Sequence, residues 1–353
     1  MIRGVDVEII HATSRKRETY EVQLTYSPLW ECALGIAAVT NSQILNTLEK
    51  PLTYWEELKE TFSTNLLNHL DYVEKNNTWK ALLQLLHYNE NANLSEFCSS
   101  IKSLQAYDLK FICLPFIGDK FQHLRESAAL EDENAVLELK NLTSDNPFFP
   151  QYIEFISKAD INELKTHLIE VMTGWYESVI APNLEETQQI LQTDYQSKKQ
   201  MKEKMAPEEL VEWATGGINY LPEPSVHKVL LIPQQVYRPW NIEADLEGIK
   251  VFYYPIANES LSPNDKYMPS NFLIQKHKAL GEEVRLRIVK LLSENDRSLQ
   301  NLTEHIDMGK TTIHHHLKIL RAAKIVEMNG LNYALKANAL ELIFKELDQY
   351  IKQ

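Results

Sequence analysis

Val5, Val7 and Ile9 alternate with polar residues, and Val22, Leu24 and Tyr26 repeat the alternation, so the N-terminus predicts a β-hairpin. The next stretch, "SPLWECALGIAAV", predicts a helix with Ser27 as its N-cap and Pro28 in the first turn, where the missing N–H is harmless. From there to about residue 214 apolar positions recur three and four apart, as in "TWKALLQLLHY", "SEFCSSIKSL" and "INELKTHLIEVMTGWYESVI", which is helical periodicity. "NLTSDNPFFP" and "ATGGINYLPEPS" are turn-rich breaks. Two short apolar runs, "KVLLIP" and "KVFYYPI", read as buried strands able to join the hairpin in one small sheet. "ANESLSPNDKYMPSN" has linker composition and sets a boundary near residue 270. No internal repeat is present.

Past that boundary the pattern sharpens. "GEEVRLRIVKLLSEN" predicts a helix burying Val284, Ile288, Leu291 and Leu292, and "SLQNLTEHI" a shorter one starting at Ser298 and burying Leu299, Leu302 and Ile306. A tight break, "DMGK", leads into "TTIHHHLKILRAAK". Two such helices around a short turn make a helix-turn-helix, whose second helix can enter a major groove. "IVEM" and "LNYAL" flank Asn329-Gly330, a dipeptide suited to a type I′ hairpin, so the module is winged. In the last helix Leu340, Ile343, Phe344, Leu347, Tyr350 and Ile351 form one apolar stripe, more than so small a unit needs internally. Leu340, Phe344, Leu347 and Ile351 are the expected homodimer contacts. The fold class is therefore mainly α with a small β-sheet: a large helical domain over 1–270 and a winged helix-turn-helix over 271–353.

The net charge of −13 argues against a polyanionic partner for the chain as a whole. Its distribution changes that. Residues 271–353 hold 13 Lys and Arg against 10 Asp and Glu, so the acidic excess lies entirely ahead of the winged module. Cys32, Cys98 and Cys113 are too widely spaced for a zinc site or a disulfide framework and read as reduced core residues. Nothing at the start resembles a signal peptide and no stretch approaches a membrane span, so a cytoplasmic protein is expected.

"ALGEEVRLRIVKLLSEN" followed by "SLQNLTEHIDMGKTTIHHHLKILRAAKIVEMNGLNYAL" resembles, in register, the winged helix-turn-helix of ArsR-type bacterial transcriptional regulators. The family's leading run matches Leu280 to Leu292, and its recognition helix matches Thr311 to Val326, with Lys324 where glycine is usual. "SPLWE" and "HKVLLIPQQV" with "KVFYYPI" are similar to the large domain fused ahead of the winged helix in one branch of these regulators. The resemblance implies duplex DNA as a partner, a homodimer, and a small-molecule effector for the N-terminal domain. The family's metal sites do not carry over, because the first helix of the helix-turn-helix lacks cysteine and the last helix lacks both cysteine and histidine. The wing also lacks the arginines that usually reach DNA.

His314, His315 and His316 are consecutive, so on a helix they span roughly 200° and cannot converge on one metal ion. With Ile313, Leu317 and Leu320 pointing inward, His316 falls at the edge of the buried stripe while Thr311, His315 and Lys318 lie opposite. Lys310, Thr311, Thr312, His314, His315 and Lys318 are the expected DNA contacts, with the lysines toward phosphate or guanine, the hydroxyls toward phosphate and imidazole toward base edges. No catalytic motif, cofactor loop or metal signature is found; His11, His69, His87, His123 and His167 are scattered. Trp30, Trp55, Trp79, Trp175, Trp213 and Trp240 are either core residues or the walls of an effector pocket. The expected function is a one-component regulator rather than an enzyme; the alternative is an enzymatic or scaffolding N-terminal domain that uses the winged helix for targeting.

Overall fold

The computed structural model describes residues 19–352 except 89–91, 204, 262–264, 266 and 337. The first strand of the expected hairpin, with Val5, Val7 and Ile9, lies outside the described residues. The second forms as β1 (Glu21–Leu24), and its sheet partner is β2 (Lys228–Gln234), which it pairs in parallel from Glu21↔Lys228. Two more strands, β3 (Ile242–Leu246) and β4 (Ile249–Pro255), complete a sheet of order β1-β2-β4-β3. β2 and β4 run parallel and β3 turns back antiparallel at the edge. The inner strands are buried on both faces, which is why they read as unbroken apolar runs. On one face Ile232, Val251 and Tyr253 join the main helical core. On the other Val229, Leu231, Phe252 and Tyr254 pack with Leu210, Val211 and Ala214 of the Pro207–Ala214 helix.

The helices that separate β1 from β2 gather around Pro28–Val39. Ser27 caps this helix by accepting from the Leu29 N–H, and every residue from Leu29 to Val39 is buried. A helix apolar on all sides belongs at the centre of a domain, and this one is enclosed by helices that include Thr64–Asn76, Trp79–Tyr88 and Ile161–Trp175. No helix among the described residues is long and apolar enough to cross a membrane.

The winged module has its own core, with Ile288, Leu302, Ile313, Leu317, Leu320 and Ile325 fully buried. Its helices are Asn271–Leu280, Glu283–Leu292, Leu299–Ile306, Lys310–Ala322 and Ala339–Lys352. The wing is β5 (Val326–Asn329) against β6 (Asn332–Leu335), with Arg297 bridging to Tyr333 as a third strand position. The turn differs from expectation. Asn329 pairs with Asn332, so the loop residues are Gly330 and Leu331 rather than Asn329 and Gly330. Of these Gly330 alone has positive φ, at 61°, which is the pattern of a type II′ turn and not a type I′.

The segment read as linker is partly built into the N-terminal domain. Its Asn258–Leu261 helical turn is held by Ser260 Oγ donating to Asp194 and by Arg238 donating to Asn258. The two domains meet where Lys336, just past β6, pairs with Glu212 at 3.0 Å.

Candidate nucleic-acid interface

The turn that aims the second helix is built from three residues. Asp307 takes φ 55° and ends the Leu299–Ile306 helix, its N–H donating to the Thr303 carbonyl, and Gly309 opens the Lys310–Ala322 helix. Left-handed backbone suits Asp because a short polar side chain tolerates it. Ile313, Leu317 and Leu320 then face the core at 0% exposure. Lys310, Thr311, Thr312, His314, His315 and Lys318 all fall on the exposed face. The six residues singled out from sequence thus share one surface.

His316 departs from its neighbours as the facing argument requires. It is half-buried, with Nδ1 closed off from solvent and 3.6 Å from the Glu282 carboxylate. Glu282 is itself the N-cap of the Glu283–Leu292 helix, accepting from the Arg285 N–H. Among the described residues no group of three or more His, Cys, Asp or Glu is placed to hold a metal ion.

Arg321 was missed in the sequence. It is exposed one turn beyond Lys318 and extends the cationic line along the helix. The signal was its i+3 spacing from Lys318. The wing contributes no cation between Val326 and Leu335; its tip is Leu331, 91% exposed.

Lys324 shows why glycine is usual at its position, because the backbone there has φ 58°. A side chain in that conformation costs on the order of 1 kcal/mol. Burial, opposed by the nearby Glu212 carboxylate, holds its ammonium down to about 8.

Residues 282–328 match the family model for bacterial regulatory proteins of the arsR family. The C-terminal module is an ArsR-type helix-turn-helix. Over 49 residues, 14% of this chain, the ArsR-type module is 35% identical to the transcriptional repressor SdpR of Bacillus subtilis (strain 168). That stretch is 54% of SdpR, so the chain spans about half the length of the curated relative it matches. No solved structure matches the chain.

The four expected dimer contacts do not share one environment. Leu340 packs on the ArsR-type module's own core beside Ile343, which is 1% exposed, whereas Phe344 and Ile351 are 68% and 71% exposed. Leu347 is half-buried, and the Tyr350 hydroxyl donates to the Tyr267 carbonyl. The stripe read from sequence is therefore divided between internal packing and an outward remainder.

In the N-terminal domain the six tryptophans do not gather around one cavity. Trp55 and Trp175 line a 380 Å³ cavity with Glu31 and Gly35, Trp240 lines a separate 550 Å³ cleft, and Trp30 and Trp79 line others. The scattered histidines behave likewise. His167 is buried between His69 and Thr78, at 2.9 and 2.8 Å, and burial followed by the adjacent His69 pushes it down to about 3. His87 lies 2.6 Å from the Tyr253 hydroxyl and burial pushes it down to about 3 as well. Both are neutral hydrogen-bonding residues. His123 lines none of these cavities, and His11 lies outside the described residues.

Proposed function

We propose that this chain is a bacterial one-component transcriptional regulator, not an enzyme, that acts in the cytoplasm by placing the Lys310–Ala322 helix in the major groove of duplex DNA. One observation carries the reading: the exposed face of that helix collects Lys310, Thr311, Thr312, His314, His315 and Lys318 over a core that fixes its direction. Lys310, Lys318 and the threonine hydroxyls at the helix start meet phosphate oxygens, and His314 and His315 lie toward base edges. Phe344 and Ile351 supply the apolar surface of a homodimer, with Leu340 and Leu347 beneath them. Two recognition helices related by a dyad read a roughly palindromic site with half-sites about a helical turn apart. The N-terminal domain holds the effector-binding function.

Selection from a pool of random-sequence duplexes tests this reading. Enrichment of a palindromic motif is the expected result, and no enriched duplex would refute it. Sedimentation of a Phe344→Glu variant tests the dimer: a shift to monomer is expected, and an unchanged sedimentation coefficient would refute the assignment of the last helix.

A further inference from the structure

The 550 Å³ cleft lies between the two domains. Trp240 and Pro255 form its N-terminal wall, while Ile319 and Ala323, on the back of the recognition helix, form the other. Among the described residues four cations line it, Lys198 and Arg238 from one domain and Lys278 and Arg285 from the other, and no carboxylate does. The arginines are committed to structure. Arg238 donates to Glu49, the Ile256 carbonyl and Asn258, and Arg285 donates to the Ala279 and Lys278 carbonyls.

The lysines are not. Lys198 is 3% exposed, yet among the described residues its ammonium reaches only one carboxylate oxygen, on Asp194 at 3.5 Å. That carboxylate already accepts from the Tyr254 hydroxyl, the Ala257 N–H and Ser260 Oγ. The remaining support for Lys198 is aromatic, the Trp213 ring at 4.3 Å and the Tyr254 ring at 5.7 Å. A buried ammonium with unused donors is costly unless an acceptor completes it. Lys278 stands exposed at the opposite wall, its ammonium making no hydrogen bond or ion pair among the described residues.

We propose that this cleft binds an organic anion with an apolar body, its carboxylate or sulfonate head held between Lys198 and Lys278. The volume suits a small organic molecule, and the lining of apolar walls with a few convergent polar groups is that of a ligand site. Because the walls belong to different domains, occupancy fixes the recognition helix against the N-terminal domain, and the ligand acts as the effector. This last step rests on the DNA-binding reading above.

Titration of the full chain with the fluorescent dye anilinonaphthalene sulfonate, and with its uncharged counterpart phenylnaphthylamine, tests the site. Saturable dye binding is expected, weakened about tenfold or more in Lys278→Glu and in Lys198→Met, because a charge-assisted contact is lost. Phenylnaphthylamine is expected to bind Lys278→Glu and the native chain alike. Should Lys198→Met fail to fold, Lys278→Glu decides alone, since its side chain is exposed. Unchanged dye affinity in Lys278→Glu, or equal losses for both dyes, overturns the anion site. Binding is read without DNA, so its outcome is independent of the regulatory reading. Where the chain binds a labelled duplex, saturating dye is expected to change that affinity, and an unchanged value overturns the effector role.

Discussion

Removing Lys310 and Lys318 together, as a Lys310→Ala/Lys318→Ala variant, takes two ammonium groups from the exposed face of the recognition helix. Neither makes an ion pair among the described residues, so little internal stability is at stake. Lys310 stands in the first helical turn, where a cation opposes the helix dipole, so its removal is expected to raise stability by a few tenths of a kcal/mol. The effect on DNA should be large. Each phosphate contact contributes about 0.9 to the slope of log affinity against log salt, so four lysines in a dimer contribute about 3.6. Over a fourfold rise in salt, from about 50 to about 200 mM, the native protein should lose roughly 100-fold more affinity than the variant. Fluorescence anisotropy on one labelled duplex across that range measures both slopes. Identical slopes, or an affinity loss that does not vary with salt, would show that these lysines do not touch phosphate.

Three further outcomes are expected. His315→Ala should weaken operator binding with an unchanged melting temperature, whereas His316→Ala should cost about 1 kcal/mol of stability through lost packing; equal melting shifts for both would remove the distinction. Gly35→Ala places a methyl 2.6 Å from Trp175 Cζ2 inside the central helix, and about 1–3 kcal/mol should be lost to overpacking in a urea titration; an unmoved midpoint would mean that the indole yields freely. Glu31 is buried, and although the Gln235 and Val236 N–H groups donate to its carboxylate, desolvation prevails and pushes it from 4.5 to about 7. The folded state therefore holds this proton more tightly than the unfolded chain, so the associated stability is present below pH 4.5 and lost as pH rises through about 7. The loss amounts to about 3 kcal/mol, so urea midpoints of Glu31→Gln against the native chain should diverge between pH 5 and 8 in favour of the variant. Parallel midpoint curves would contradict a raised Glu31.

What was legible in the sequence follows from what is local. Ser27 and Pro28 mark a helix start because a cap depends on residues two apart, and the 313–317–320 stripe fixes the recognition face because helical period alone decides it. β3 was missed although Ile242, Ala244 and Leu246 alternate with Glu243 and Asp245, because five residues beside a longer apolar run look like its flank. The wing turn slipped by one residue because the pairing of Asn329 with Asn332, not the dipeptide, fixes the loop. Glu31 looks like an ordinary first-turn carboxylate until the fold brings the 235 and 236 N–H groups onto it. The cleft was invisible for the same reason, since Lys198 and Lys278 come to line one cleft only through domain packing.

β1 and β2 are sheet neighbours, yet the helices from Pro28 to Ala214 lie between Leu24 and Lys228. During synthesis β1 leaves the ribosome before β2 and must wait, unpaired, while some two hundred residues emerge and collapse around the Pro28–Val39 helix. Pairing that distant is entropically late, so the sheet closes only after its own insertion has folded. Because β4 ends 16 residues before the winged module's first helix begins, closure of the sheet and emergence of the DNA-reading unit are nearly simultaneous events in translation.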